Sequence, residues 1–98
     1  MEIRRTRTSG TSQWNSENFE KEEYYEPDNN KWLGMAYKEE GSPIEVSLET
    51  SRLPQSVTEG LPVESTGLAK FQANSFEEVG EELKRRSLEV IDGRRKRF

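Results

Sequence analysis

The sequence predicts an α+β domain: a small antiparallel sheet packed by one C-terminal amphipathic helix, with a flexible N-terminal arm. The clearest signals are an apolar/polar alternation on both sides of a Gly-Ser-Pro turn in residues 31–49, and a capped, charge-ordered helix beginning at Ser75. The first 13 residues are mostly Arg, Thr, Ser and Gly. A chain of 98 residues holds one domain, read as a basic arm (1–13), a folded domain (14–93) and a basic tail (94–98).

The arm carries one aliphatic side chain, Ile3, and reads as flexible because it has little apolar surface to bury. From Trp14 to Glu26 the chain is aromatic and acidic. Asn15 or Ser16 can cap a short helix here, with acids in its first turn. The aromatics do not keep a helical period, so the balance falls just short of a helix. Pro27-Asp28-Asn29-Asn30 is a turn.

Lys31–Lys38 and Ile44–Glu49 are expected to form a hairpin. Leu33, Met35 and Tyr37 are expected on one face with Ile44, Val46 and Leu48, leaving Trp32 opposite, beside Gly34 and Ala36. Gly41 and Pro43 make the turn. Residues 50–66 form a long connection, and Leu53–Val63 within it is a second candidate functional region, since structureless loops of this length tend to be functional or mobile. Leu68–Ala73 can add a third strand, with Ala69, Phe71 and Ala73 on one side.

The helix is specified several times over. Ser75 and Glu78 have capping-box spacing, Glu77, Glu78, Glu81 and Glu82 precede Lys84, Arg85 and Arg86 in dipole order, and Phe76, Val79 and Leu83 share a face. Its continuation to Ile91, with Gly93 as the residue after the cap, is preferred to a stop near Arg86 followed by a strand Leu88–Ile91 and an Asp92-Gly93 hairpin turn.

Composition excludes more function than it suggests. There is no Cys and no His, so thiolate chemistry, disulfides and the commonest general base are missing. No glycine-rich phosphate loop or calcium-loop spacing occurs. The expectation is a protein that is not an enzyme, with no cofactor and no metal site. Leu, Ile, Val and Phe make up only 19 of 98 residues, so a small core with poorly ordered ends is expected. With neither an apolar leader nor a membrane-spanning run, the reading is a cytoplasmic protein.

Charge is segregated. Residues 1–9 carry net +2, residues 10–66 net −8 and residues 67–98 net +2, within a total of −4. The acidic aromatic stretch suggests a partner-binding surface of Tyr24, Tyr25, Glu22, Glu23 and Glu26, joined by Trp32, because Tyr and Trp favour interface hot spots. The plainer alternative is a solvated face with the aromatics turned into the core. The expected function is a small regulatory or inhibitory adaptor that binds a larger protein or complex. The alternative is a nucleic-acid-associated protein using Arg4, Arg5 and Arg7 with Arg94, Arg95, Lys96 and Arg97.

Overall fold

In a computed structural model of the chain, residues 1–14 and 17–93 are described. They form a mixed six-stranded sheet, not the small hairpin sheet expected. The strands are β1 (Glu2–Thr11), β2 (Asn18–Tyr25), β3 (Trp32–Glu39), β4 (Ile44–Glu49), β5 (Leu68–Ala73) and β6 (Glu89–Asp92), in spatial order β5-β4-β3-β2-β1-β6. β1 to β5 are a simple antiparallel meander, and β6 joins the far edge parallel to β1.

The arm is therefore a correction: it is β1, paired with two neighbours. Its polar side chains find partners across the strand. Arg7 lies opposite Glu22, Arg4 opposite Tyr25 and Thr6 opposite Glu23, and such pairs stabilise a ladder that composition alone makes look disordered. The acidic aromatic segment is β2, not a helix. Its period is two, with Glu22 and Tyr24 buried on one face and Glu23 and Tyr25 on the other.

β3 and β4 pair antiparallel around Gly41, whose φ of 81° sits in the left-handed region that glycine adopts without strain. Their expected faces are corrected. Ala36 pairs with Val46 and Gly34 with Leu48, whereas Met35 pairs with Ser47 and Tyr37 with Glu45. Met35 and Tyr37 thus lie on the face away from Val46 and Leu48. A register shift against β2 places one extra residue, Leu33, between Trp32 (opposite Tyr25) and Gly34 (opposite Tyr24). The irregularity turns Leu33 into the core and brings Trp32 round to the face of Met35 and Tyr37.

The connection from Thr50 to Gly67 is ordered. A 3₁₀ turn (Thr50–Arg52) and a single helical turn, α1 (Gln55–Thr58), drop Leu53 and Val57 into the core, with Leu61 against it. The backbone N–H and the hydroxyl of Thr50 both donate to Gly67 O, at 3.1 and 2.8 Å, and close the excursion at its base. Arg86 Nη1 donates to the carbonyls of Val57 and Glu59, each at 2.9 Å, and so ties α1 to the end of the C-terminal helix.

That helix, α2, runs Phe76–Arg85. Ser75 Oγ accepts the Glu78 N–H at 3.2 Å, and the Glu78 carboxylate accepts the Asn74 N–H at 2.9 Å. Val79 and Leu83 are buried against the sheet. The continuation to Ile91 is overturned by the way α2 ends. Ser87 takes φ 67°, Leu88 N–H reaches back to Leu83 O at 2.9 Å, and Ser87 N–H reaches Lys84 O at 3.0 Å. This is a Schellman cap with serine in the position glycine usually fills, and Leu88 (buried) meets Leu83 as its hydrophobic contact. The chain then leaves as β6. From β5 on one edge, α2 carries it across the sheet to β1 on the other.

The core lies on the α2 side. Ile3, Tyr24, Leu33, Ala36, Ile44, Val46, Leu48, Val79, Leu83 and Leu88 form one cluster, with Phe71, Phe76 and Val90 packed against it. Among the described residues no element covers the opposite face of the sheet. Among the described residues no helix is long and apolar enough to cross a membrane.

Candidate functional site

The local sequence Glu22-Glu23-Tyr24-Tyr25 is the key to the site. On a strand, alternate residues point to opposite faces, so each face receives one Glu and one Tyr two positions apart. Both pairs close. Tyr24 Oη donates to Glu22 Oε1 at 3.0 Å on the covered face, and Tyr25 Oη donates to Glu23 Oε2 at 2.9 Å on the open face.

On the covered face Glu22 is 3% exposed and Tyr24 fully buried. Arg7 Nε donates to Glu22 Oε2 at 2.9 Å, and an Arg5 guanidinium nitrogen lies 3.8 Å from the same oxygen. Arg5 also holds Asp92 on β6, its Nε at 3.0 Å. The buried carboxylate is thus ion-paired and hydrogen-bonded, as burial requires. Burial, then the adjacent Glu22, pushes the Tyr24 phenol far above its ordinary range. These two residues hold β1, β2 and β6 together and are not at the surface, a correction to their place in the expected partner site.

The open face holds the remainder. Glu23 is its centre: the carboxylate receives the Lys21 ammonium at 3.0 Å and the Tyr25 hydroxyl at 2.9 Å, with the Trp32 side chain nearby. Partial burial works to raise its pKa, but the hydrogen bonds from Lys21 and Tyr25, the charge of Lys21 and the nearby Trp32 side chain outweigh it and hold Glu23 below the ordinary carboxylate range. Arg4 stacks its guanidinium 4.9 Å from the Tyr25 ring centre and donates to Asn30 Oδ1 at 3.0 Å. Further along, Tyr37 stacks on Phe19 with centroids 5.9 Å apart. Trp32, Met35, Tyr37, Tyr25 and Phe19 are all half-buried, so each keeps part of its apolar surface in solvent. The charges among them are mixed with acids in excess: Glu23, Glu39, Glu45 and Glu49 against Arg4, Lys21 and Lys70.

The expected set therefore splits. Tyr25, Glu23 and Trp32 come together on the open face. Glu26 lies just beyond the end of β2, accepting Asn29 Nδ2 at 2.7 Å. Sequence reasoning missed Phe19, Lys21, Met35 and Tyr37 as members of this face; the period of two in β2 was the available signal. Arg4, Arg5 and Arg7, expected as a free basic arm, are each engaged within the sheet. Arg94, Arg95, Lys96 and Arg97 lie outside the described residues. In the second candidate region, Leu53 and Val57 serve the core. Among the described residues no group of three or more Asp or Glu side chains is placed to hold a metal ion.

No family model, no curated protein and no solved structure matches this chain. Its functional reading therefore rests on the geometry of the two faces of β2.

The tyrosines offer a direct check on both faces. All three in the chain have phenols raised above the ordinary 10.0: Tyr24 by burial and Glu22, Tyr25 by burial and Glu23, and Tyr37 by burial and Glu39. A folded-state pKa above the unfolded one stabilises the fold fully below the unfolded value and loses that stabilisation as pH rises through the folded value. Alkaline titration followed by phenolate absorbance should show no tyrosine ionising at its ordinary midpoint while the circular dichroism stays native. Tyr24 should ionise only as the fold is lost. A tyrosine titrating normally in the folded protein would mean that its carboxylate partner is elsewhere.

Proposed function

We propose that this protein is a non-catalytic regulatory or inhibitory module that binds a larger protein through the open face of its sheet. One observation carries the reading: Tyr25, Trp32, Met35, Tyr37 and Phe19 are gathered, half-exposed, on a face that no other described element covers. Aromatic residues ringed by charge are the composition of interface hot spots. The hydrogen bond to Glu23 holds Tyr25 in a fixed position, which lowers the ordering cost of binding. The excess of acids suits a partner with a basic surface. The nucleic-acid reading has weaker support, because the N-terminal arginines spend their charge on Glu22, Asp92 and the Tyr25 ring.

The test is capture from native cell extract followed by mass spectrometry, comparing the wild-type chain with Trp32→Ala and Tyr25→Ala. A specific protein should be retained by the wild type, with its affinity reduced about 30-fold or more by Trp32→Ala, the effect of losing one hot-spot residue. Both variants should melt within a few degrees of wild type. Equal capture by wild type and variants would refute the assignment of this face. Titration with labelled DNA and RNA at about 50 and about 200 mM salt separates the other reading, since tight, steeply salt-sensitive binding would favour it instead.

A further inference from the structure

We propose that the outer edge of β1, from Thr6 to Thr11, pairs antiparallel with the same edge of a second copy of this chain. β6 covers only the first half of β1, from Glu2 to Arg5. The backbone direction follows from that pairing. Met1 O accepts Glu89 N–H and Arg5 O accepts Gly93 N–H, so odd-numbered residues direct their peptide groups outward. The alternation continues to Arg7, Ser9 and Thr11, beside which no strand lies among the described residues. An unpaired row of this kind is a template for another strand.

The two edges of the sheet are treated differently. On β5, Lys70 N–H donates to Pro62 O at 3.0 Å, Glu64 N–H donates to Leu68 O at 2.9 Å, and Val63 bridges Ala69, so a segment of the connection runs along that edge. On β1 the usual guards are missing among the described residues. Thr6–Thr11 contains no proline, its pairing with β2 is unbroken, and its one charge, Arg7, is engaged by Glu22. The stretch is rich in threonine, which favours strands.

The edge also fits itself. Pairing two copies about Ser9 sets Ser9 opposite Ser9, Arg7 opposite Thr11 and Thr8 opposite Gly10, so no like charges face each other and the outward peptide groups meet. Uncharged Thr6, Thr8, Ser9, Gly10 and Thr11 offer little with which to select a charged peptide. A second copy is the occupant this edge fits, and the result is a continuous twelve-stranded sheet.

Sedimentation velocity over a wide concentration range should show wild-type protein passing from monomer to dimer. Ser9→Pro removes an outward N–H that no bond inside the sheet uses, a position where proline is tolerated. It should hold the chain monomeric with its melting temperature nearly unchanged. A second variant guards against misfolding. The natural chain has no cysteine, and directly opposed hydrogen-bonded residues lie about 5.5 Å apart between Cα atoms, within disulfide range. Ser9→Cys should therefore oxidise to a covalent dimer at least tenfold faster than Ser51→Cys, an exposed control. A wild type that stays monomeric throughout, a dimer indifferent to Ser9→Pro, or equal oxidation of the two cysteine variants would each overturn the proposal.

Discussion

Tyr24→Ala is expected to lower stability by about 4 kcal/mol, against about 1 kcal/mol for Tyr25→Ala, although the two are neighbours of the same type. Tyr24 is wholly buried between the sheet and its covering layer. Its removal opens a cavity and also deprives Glu22, itself buried, of a hydrogen-bond donor. Tyr25 is only partly buried, with the Arg4 guanidinium over its ring. Urea denaturation followed by circular dichroism measures both. A loss of about 4 kcal/mol also corresponds to a fall in melting temperature on the order of 20 °C for a domain of this size. Comparable losses at the two positions would contradict the division of Glu22-Glu23-Tyr24-Tyr25 between two faces. Tyr24→Phe, which keeps the ring and removes the donor, should fall between, at about 1–3 kcal/mol.

The second large effect is expected at Gly34. A Cβ there would run into the backbone carbonyl oxygen of Ser47 on β4 and would lie 3.0 Å from Leu48 Cδ2. The obstacle is main chain inside a hydrogen-bonded ladder, so it cannot rotate aside. Gly34→Ala should cost about 3 kcal/mol or more and should broaden amide signals along β3 and β4. Gly80→Ala is the matching control. That glycine sits inside α2 with open space where its Cβ would be, and alanine there should raise stability by roughly 0.5–1 kcal/mol. If Gly34→Ala were as benign as Gly80→Ala, the β3–β4 approach described above would be untenable.

These positions show how much of the protein was open to local reading. The start of α2 was legible, because its cap, charge order and apolar stripe are written within one stretch of chain. The alternation of β4 was legible for the same reason. The faces of β3 were not, because one residue inserted against β2 at Leu33 inverts the side on which Trp32 lies, and nothing within β3 announces it. Three members of the candidate site, Tyr25, Glu23 and Trp32, are therefore legible in the sequence, and Phe19, Lys21, Met35 and Tyr37 are not. A periodicity carried straight through the bulge puts Met35 and Tyr37 on the face of Ile44, Val46 and Leu48, the opposite of where they lie. The end of α2 is illegible for a related reason. Glycine usually fills this cap position, but here Ser87 adopts the left-handed conformation and Leu88 gains burial by turning in against Leu83.

What the sequence determined alone is whatever its own neighbours along the chain satisfy: the N-terminus of α2, the turn at Gly41, the period of β4, and the lack of histidine and cysteine chemistry. Tertiary structure alone decided that the arginine- and threonine-rich first residues are a strand and that the chain's last described strand lies beside them. β1 has little apolar surface of its own. It is held by Glu22 and Tyr24 from β2 and by the backbone and Asp92 of β6, which lies more than 80 residues away along the chain. Those partners exist only once the sheet has formed. An isolated reading of β1 therefore sees a flexible arm, where the folded protein has a charge-paired, hydrogen-bonded strand whose outer edge, among the described residues, is covered only along its first half.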